Sequence, residues 1–403
     1  MVSGQQVLTL WFAEASTCWI TWRWEGEEDA HASRLDPALR QTLLNFYEEA
    51  LPNARPAESA EEALDRALSG PLASPQESAD FGARLADGLL PTELTQALIR
   101  RSGHGAERVC MKIHVSPTAA RIPWALLRIQ TETAGNHRTL LLDFADVAIA
   151  IPRNASRLAK RRDKGASRLR VNGTRRGVIA VIDPKVPGYQ PTSALGSVLG
   201  PPQDNDELAA LLGRRTGNLI PTATVFSELA RRSDLDRRWL KSVLPKASAF
   251  LYVGHVSVGQ DLTSSGASSA LHLCCVDDTG QHDPLTAGEI LSDEEFVFPE
   301  HVAFIGRGSG TDHTFLEPMG LSLAAHLRGA QYVIAASWTI PTDSYLPSTP
   351  LRRLILAADE ALDSSNPARA MNLWQRDRAE AWFRDGHVKD TPLLWAAMQT
   401  FVR

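Results

Sequence analysis

Two apolar runs in the second half of the chain end on groups that chemistry uses. Ala249-Phe250-Leu251-Tyr252-Val253-Gly254-His255 carries an imidazole to the end of a strand-like segment. Val302-Ala303-Phe304-Ile305-Gly306-Arg307-Gly308-Ser309-Gly310 carries a glycine-rich loop to the end of another. A histidine exposed at such a tip can take a proton from a nucleophile on a neighbouring strand. Backbone amides of the surrounding loops, at Gly254, Gly308 and Ser309, can form an oxyanion hole. The second tip holds no thiol, so the pair reads as a base without the sulfur it would serve.

Such chemistry needs the two strands side by side, with their carboxyl ends together. Both runs are short, apolar and flanked by helical patterns, as parallel strands buried on both faces are. Val178 to Ile182 and Tyr332 to Trp338 read the same way, with crossover helices between them. In an open α/β sheet, sites form in the crevice beyond the carboxyl ends of the strands. Asp183 and Asp343, in loops at such ends, are candidates for shaping a specificity pocket. Loop aspartates also commonly cap turns and helices.

Composition narrows the function classes. The chain has 403 residues, 43% hydrophobic and 22% charged, which suits a globular protein with a substantial core. A net charge of −5 argues against general affinity for nucleic acid or anionic membrane. No apolar run approaches the roughly 18 residues of a spanning helix, and the first residues lack a signal core. A cytoplasmic location is expected. The four cysteines form no CxxC pair, so reduced, buried thiols are expected, with no metal and no cofactor.

Four regions are expected. Residues 1–80 hold a hairpin (Val7–Phe12 with Cys18–Trp24) and a helical stretch with Leu39, Leu43, Leu44, Tyr47 and Leu51 at helical spacing. Trp22 and Trp24 alternate with Thr21 and Arg23, as on a half-buried strand. Residues 81–153 contain a helix broken at Pro91 and the strand Val109–Val115. Residues 154–176 form a basic linker, and 177–403 the α/β core. Within that core the pattern predicts a short strand at Ala223–Val225, a helix from about Ser227 to Val243, and a strand from Leu271 to Val276.

The second half resembles the CHAT domain, a caspase-like peptidase module of the clan that includes separases. The resemblance rests on an ordered set of motifs over about Phe81 to Arg403. These are Gly254-His255, Leu285-Thr286-Ala287-Gly288-Glu289-Ile290, the loop Gly306 to Gly310, Gly320-Leu321, Gly329 to Pro341, and Pro392-Leu393-Leu394-Trp395-Ala396-Ala397. Ile182-Asp183-Pro184 and Ile122-Pro123-Trp124 resemble further pieces. The resemblance implies a three-layer α/β/α caspase-like fold with a mostly parallel sheet, preceded here by a smaller α+β N-terminal region. It implies His255 as the general base. It also implies a setting in bacterial regulated proteolysis or defence, with a protein or peptide partner such as a helical-repeat or NTPase subunit.

Two departures bear on activity. Aligned on Ser309-Gly310, the nucleophile's position falls on Arg307; aligned on a Cys-Arg-Gly pattern, it falls on Gly306. Neither residue can attack a carbonyl. The glycine expected after the histidine is Val256, a residue large enough to crowd the substrate side of the loop. A catalytically inactive binding or regulatory protein fits this pattern. So does an active cysteine peptidase with its nucleophile replaced, although a deliberate knockout is more often Ala or Ser. A third reading takes Gly306–Gly310 as a phosphate-binding turn of a nucleotide-binding module, against which stands the lack of an acidic partner or a Walker lysine.

Overall fold

Strand-forming runs buried on both faces make the centre of a thirteen-stranded, mostly parallel sheet. In this computed structural model the described residues are all but 1–4, 53, 56, 103–107, 117, 132–137, 153–154, 156–176, 258–265 and 309–319, with a few further side chains, Arg307 among them, also outside the description. The central strands are β8 (Gly177–Ile182), β10 (Ala247–Ser257), β13 (His301–Gly308) and β14 (Tyr332–Ala336), all parallel. β15 (Met398–Val402) runs antiparallel to β14 and parallel to β7 (Ala145–Ala150). Every residue of β7 and β15 is buried. The helix Pro350–Asp363 packs on β10 and β13, and the helix Pro367–Asp385 packs on β7, β14 and β15.

The sheet continues past β7 into the N-terminal region. β4 (Val109–His114) lies parallel to β7, and β1 (Val7–Glu14) lies parallel to β4. β2 (Cys18–Trp24) and β3 (His31–Arg34) follow as an antiparallel meander. The expected hairpin is therefore the end of the main sheet, joined to it by β1–β4 pairing between residues some hundred positions apart. Its inner face carries Leu8, Leu10, Ile20, Trp22 and Trp24, all buried. They meet a helical layer that includes Ala38–Ala50 and Pro75–Leu89. The division at residues 80 and 81 falls inside the second of these helices.

Three local expectations are corrected. The short strand is β9 at Leu219–Ile220, set by pairing with Val178 and Ile179, and not at Ala223–Val225. The helix from Ser227 to Val243 is two helices, Phe226–Leu229 and Arg237–Val243. Between them Ala230 bridges to Ile182, and the Asp236 side chain accepts from Trp239 N–H to start the second helix. The strand at Leu271–Val276 shrinks to β11, Ala270–Leu271, with one isolated bridge from Val276 to His282. Residues 154–176 of the expected basic linker lie outside the described residues, Ala155 apart.

Candidate active site

β10 carries the site because its neighbour changes along its length. β8 pairs with it as far as Val253, and then β11 takes over at Val256 and Ser257. His255 sits where one partner leaves and the other arrives. On the opposite side β13 stays in register, pairing Gly254 with Gly306, His255 with Arg307 and Val256 with Gly308. Opposed residues of a parallel pair share a face, and successive residues alternate. Position 307 therefore lies beside 255 on one face, and 306 shares the other face with 254 and 256. The side chain of Arg307, and Ser309 altogether, lie outside the described residues.

Position 306 has no room for a side chain. A Cβ built there would lie 2.4 Å from Cγ2 and 2.8 Å from Cβ of Val256. The valine thus fills the space over Gly306, on the face away from His255. Gly254 is likewise a matter of clearance, since a Cβ there would come within 2.8 Å of the Tyr252 hydroxyl. Gly254 sits inside the strand ladder and does not loosen its tip.

His255 is buried, with 2% of its surface exposed, where an open crevice was expected. The loop after β8 folds over it, and Nε2 lies 3.0 Å from the carbonyl oxygen of Gly196. A carbonyl only accepts, so Nε2 carries a proton and donates it to Gly196 O. Asp183 holds that loop. Its carboxylate accepts from the Ser197 hydroxyl and from Val198 N–H at 3.0 Å, and it faces the Arg231 guanidinium at 3.5 Å. Burial raises the Asp183 carboxyl above its ordinary range, and the Ser197 and Val198 bonds and Arg231 oppose the shift. Arg352 ties the far end of the loop, donating to Leu199 O at 2.9 Å and pairing with Asp206 and Asp343. Asp343 also accepts from Leu351 N–H at 2.7 Å at the start of the Pro350–Asp363 helix. Both candidate pocket carboxylates are thus engaged in holding backbone.

A second imidazole system lies behind the first. His272 is 6.4 Å from His255, ring centre to ring centre, and edge-on to it. His272 Nδ1 lies 2.9 Å from His282 Nε2, and His282 Nδ1 lies 3.1 Å from Cys275 O. The last contact makes His282 a donor through Nδ1, so its Nε2 accepts from His272 Nδ1–H. Both rings are neutral. Burial, with His282 and His255 nearby, drives His272 down to about 3. Tyr252 lies 2.6 Å from His255 O and 3.1 Å from His272 O and shares its one proton between them. Gly196, Tyr252, His272 and His282 were not singled out by sequence reasoning. The only hint was the histidine content of the 271–282 segment, because partners so far apart in sequence leave no spacing signal.

The cysteines stand elsewhere. Cys18 and Cys110 are on β2 and β4. Cys274 donates its S–H to Arg232 O at 2.8 Å, and burial pushes its thiol up to about 11. Burial also raises Cys275. The recurring motifs act as scaffold. Thr286 and Glu289 form a capping box that starts the helix Ala287–Ser292, and Glu289 also pairs with Arg237 at 2.6 Å. Trp338 and Trp395 donate their indole N–H groups to Leu393 O and Asp390 O. Among the described residues no cluster of His, Cys, Asp or Glu could hold a metal ion, and no helix is long and apolar enough to cross a membrane.

The parallel sheet, the paired tips at 255 and 307 and the capped Leu-Thr-Ala-x-Glu helix are those of a caspase-like peptidase module. The CHAT domain profile matches residues 79–401, and the chain belongs to the CHAT domain family. No curated protein matches it by sequence. Two crystal structures of the Saccharomyces cerevisiae separase–securin complex, at 3.0 and 2.6 Å resolution, are similar in structure, with TM-scores of 0.49 and 0.48 and identities of 11% and 10%. The similarity covers 98% of this chain and 30% of each of those chains, so the chain spans under a third of their length.

Proposed function

We propose that this CHAT-family chain is a catalytically silent, caspase-like protein that acts as a cytoplasmic binding or regulatory subunit in bacterial regulated proteolysis or defence. One observation carries the reading: the position beside His255 on the adjacent strand is an arginine. The retained base then has no thiol to activate at that place. The roofing of His255 by the Gly196 loop supports the same conclusion, because a buried imidazole gives a substrate carbonyl no approach. The partner in this reading is a protein or peptide, such as a helical-repeat or NTPase subunit.

The test is turnover of a fluorogenic peptide library by the purified chain and by Arg307→Cys. Neither is expected to cleave. Cleavage by the native chain that His255→Ala abolishes would overturn the reading. Cleavage by Arg307→Cys alone, again lost with His255→Ala, would instead support a working scaffold whose nucleophile has been replaced.

A further inference from the structure

The sheet is finished on both faces at its centre and on only one at its N-terminal end. In β4, in β1 from Val7 to Trp11 and in β2 from Trp19 to Trp24 the outward residues alternate with buried ones, and none of the outward residues of the four strands β1–β4 is buried. Across this face the register aligns Arg23 with Thr9 and Thr9 with Lys112, two cations separated by one strand. Strand spacing puts their Cα atoms about 10 Å apart. One step along lies Trp11, stacked on His114, and beyond it Trp19, 42% exposed and in register with Arg34. No carboxylate stands at any outward position of these four strands. Arg23, Arg34 and Lys112 form no salt bridge among the described residues.

The face runs on into a groove. Lys112 and Cys110 also line a hollow of about 320 Å³ together with Tyr332, Gln331, Asn366 and Arg403. Lys112 is thus at the junction of a flat, aromatic, cationic face and a concave pocket.

We infer that this face docks an acidic amphipathic helix of a partner protein, which completes the missing third layer of the sandwich. A sheet face offers no free backbone groups, since those lie in the plane and are used by the strands, so the occupant must bind through side chains. A helix is the element that covers a sheet face elsewhere in such folds. Its apolar stripe would lie on Trp11 and Trp19, and its flanking carboxylates would meet Arg23, Arg34 and Lys112. The three unopposed cations select an acidic partner over a basic one. This inference concerns a surface remote in sequence from His255 and stands whether or not that site turns over substrate.

The experiment uses the full chain and three fluorescein-labelled probes read by anisotropy. They are a helical peptide of about 20 residues with leucines on one side and glutamates flanking them, the same peptide with lysines, and a single-stranded oligo(dT) of similar length. The glutamate peptide is expected to bind with a Kd in the micromolar range, about tenfold or more tighter than the lysine peptide, and more weakly as salt rises. The double variant Arg23→Glu/Lys112→Glu is expected to lose about tenfold, with an unchanged melting temperature, and Trp19→Ala about threefold. Arg238→Glu, an exposed charge reversal on the helix Arg237–Val243, is the control and should leave binding within about twofold. Three results would overturn the inference: no binding of the glutamate peptide at about 100 µM, binding indifferent to the double reversal, or preferential binding of the oligonucleotide that the reversal abolishes. The last would make the face a nucleic-acid surface.

Discussion

The centre and the N-terminal flank of this one sheet are built on different rules. β8, β10 and β13 read as unbroken apolar runs and bury both faces, whereas β1, β2 and β4 alternate and leave one face accessible. In the centre the polar groups are few and buried, and they hold backbone or one another: Asp183 a loop and a guanidinium, His255 a carbonyl, Tyr252 two. On the flank Arg23, Arg34 and Lys112 stand on one accessible face and form no salt bridge among the described residues. A buried polar network fixes geometry, while an accessible one leaves capacity for another molecule.

The largest effect expected from that contrast is at Asp183. Asp183→Ala removes the buried charge facing Arg231 and the anchor of the Gly196 loop, and should cost about 3–5 kcal/mol in chemical denaturation. Trp19→Ala on the open face should cost under about 0.5 kcal/mol. Similar losses at the two sites would erase the distinction.

Next comes the fit between neighbouring strands at the site. Gly306→Ala forces a methyl into Val256 and should destabilise by about 1–3 kcal/mol. Val256→Ala in the same chain should restore most of that loss. If Gly306→Ala is neutral by itself, the valine does not hold the position closed, and an attacking group at 306 becomes feasible.

A more gradual effect is in pH dependence. His272 is held at about 3 against an ordinary value near 6.5. Between those values the unfolded chain binds a proton that the folded chain refuses. The contribution of His272 to stability is therefore full above about 6.5 and falls on acidification, by up to about 1.4 kcal/mol per pH unit. Denaturation midpoints at pH 7, 6 and 5 should show this slope, and His272→Gln, whose amide can still donate to His282, should lessen it, leaving the part due to His326, held at about 4, and to His282, which burial also lowers. A wild-type profile flat across that window would mean that His272 carries its proton in the fold.

Much of the architecture was legible because its determinants are local. The runs at 178–182, 249–255 and 302–305 became strands, the run at 332–338 became one as far as Ala336, and the alternation of Trp22 and Trp24 with Thr21 and Arg23 marked the right inward face. Thr286 and Glu289, which cap the helix Ala287–Ser292, are likewise a local device, three residues apart in the chain. Where the reading slipped, pairing had decided. Leu219 and Ile220 became a strand because Val178 and Ile179 lay beside them, although Ala223–Val225 has the stronger β composition.

The amino-acid order by itself determined the fold class, a histidine near the carboxyl end of a central strand, and the lack of a cysteine at 306 and 307. These depend on residue identity and on periods of two and 3.6, which a linear reading contains. Only the tertiary structure decided that 307 stands beside the imidazole, that Val256 closes 306, that a loop some 60 residues upstream roofs the site, and that the N-terminal strands extend the same sheet with one face open. Each of those is a question of register or burial between distant segments, settled by which surfaces the chain hides from water when it closes on itself.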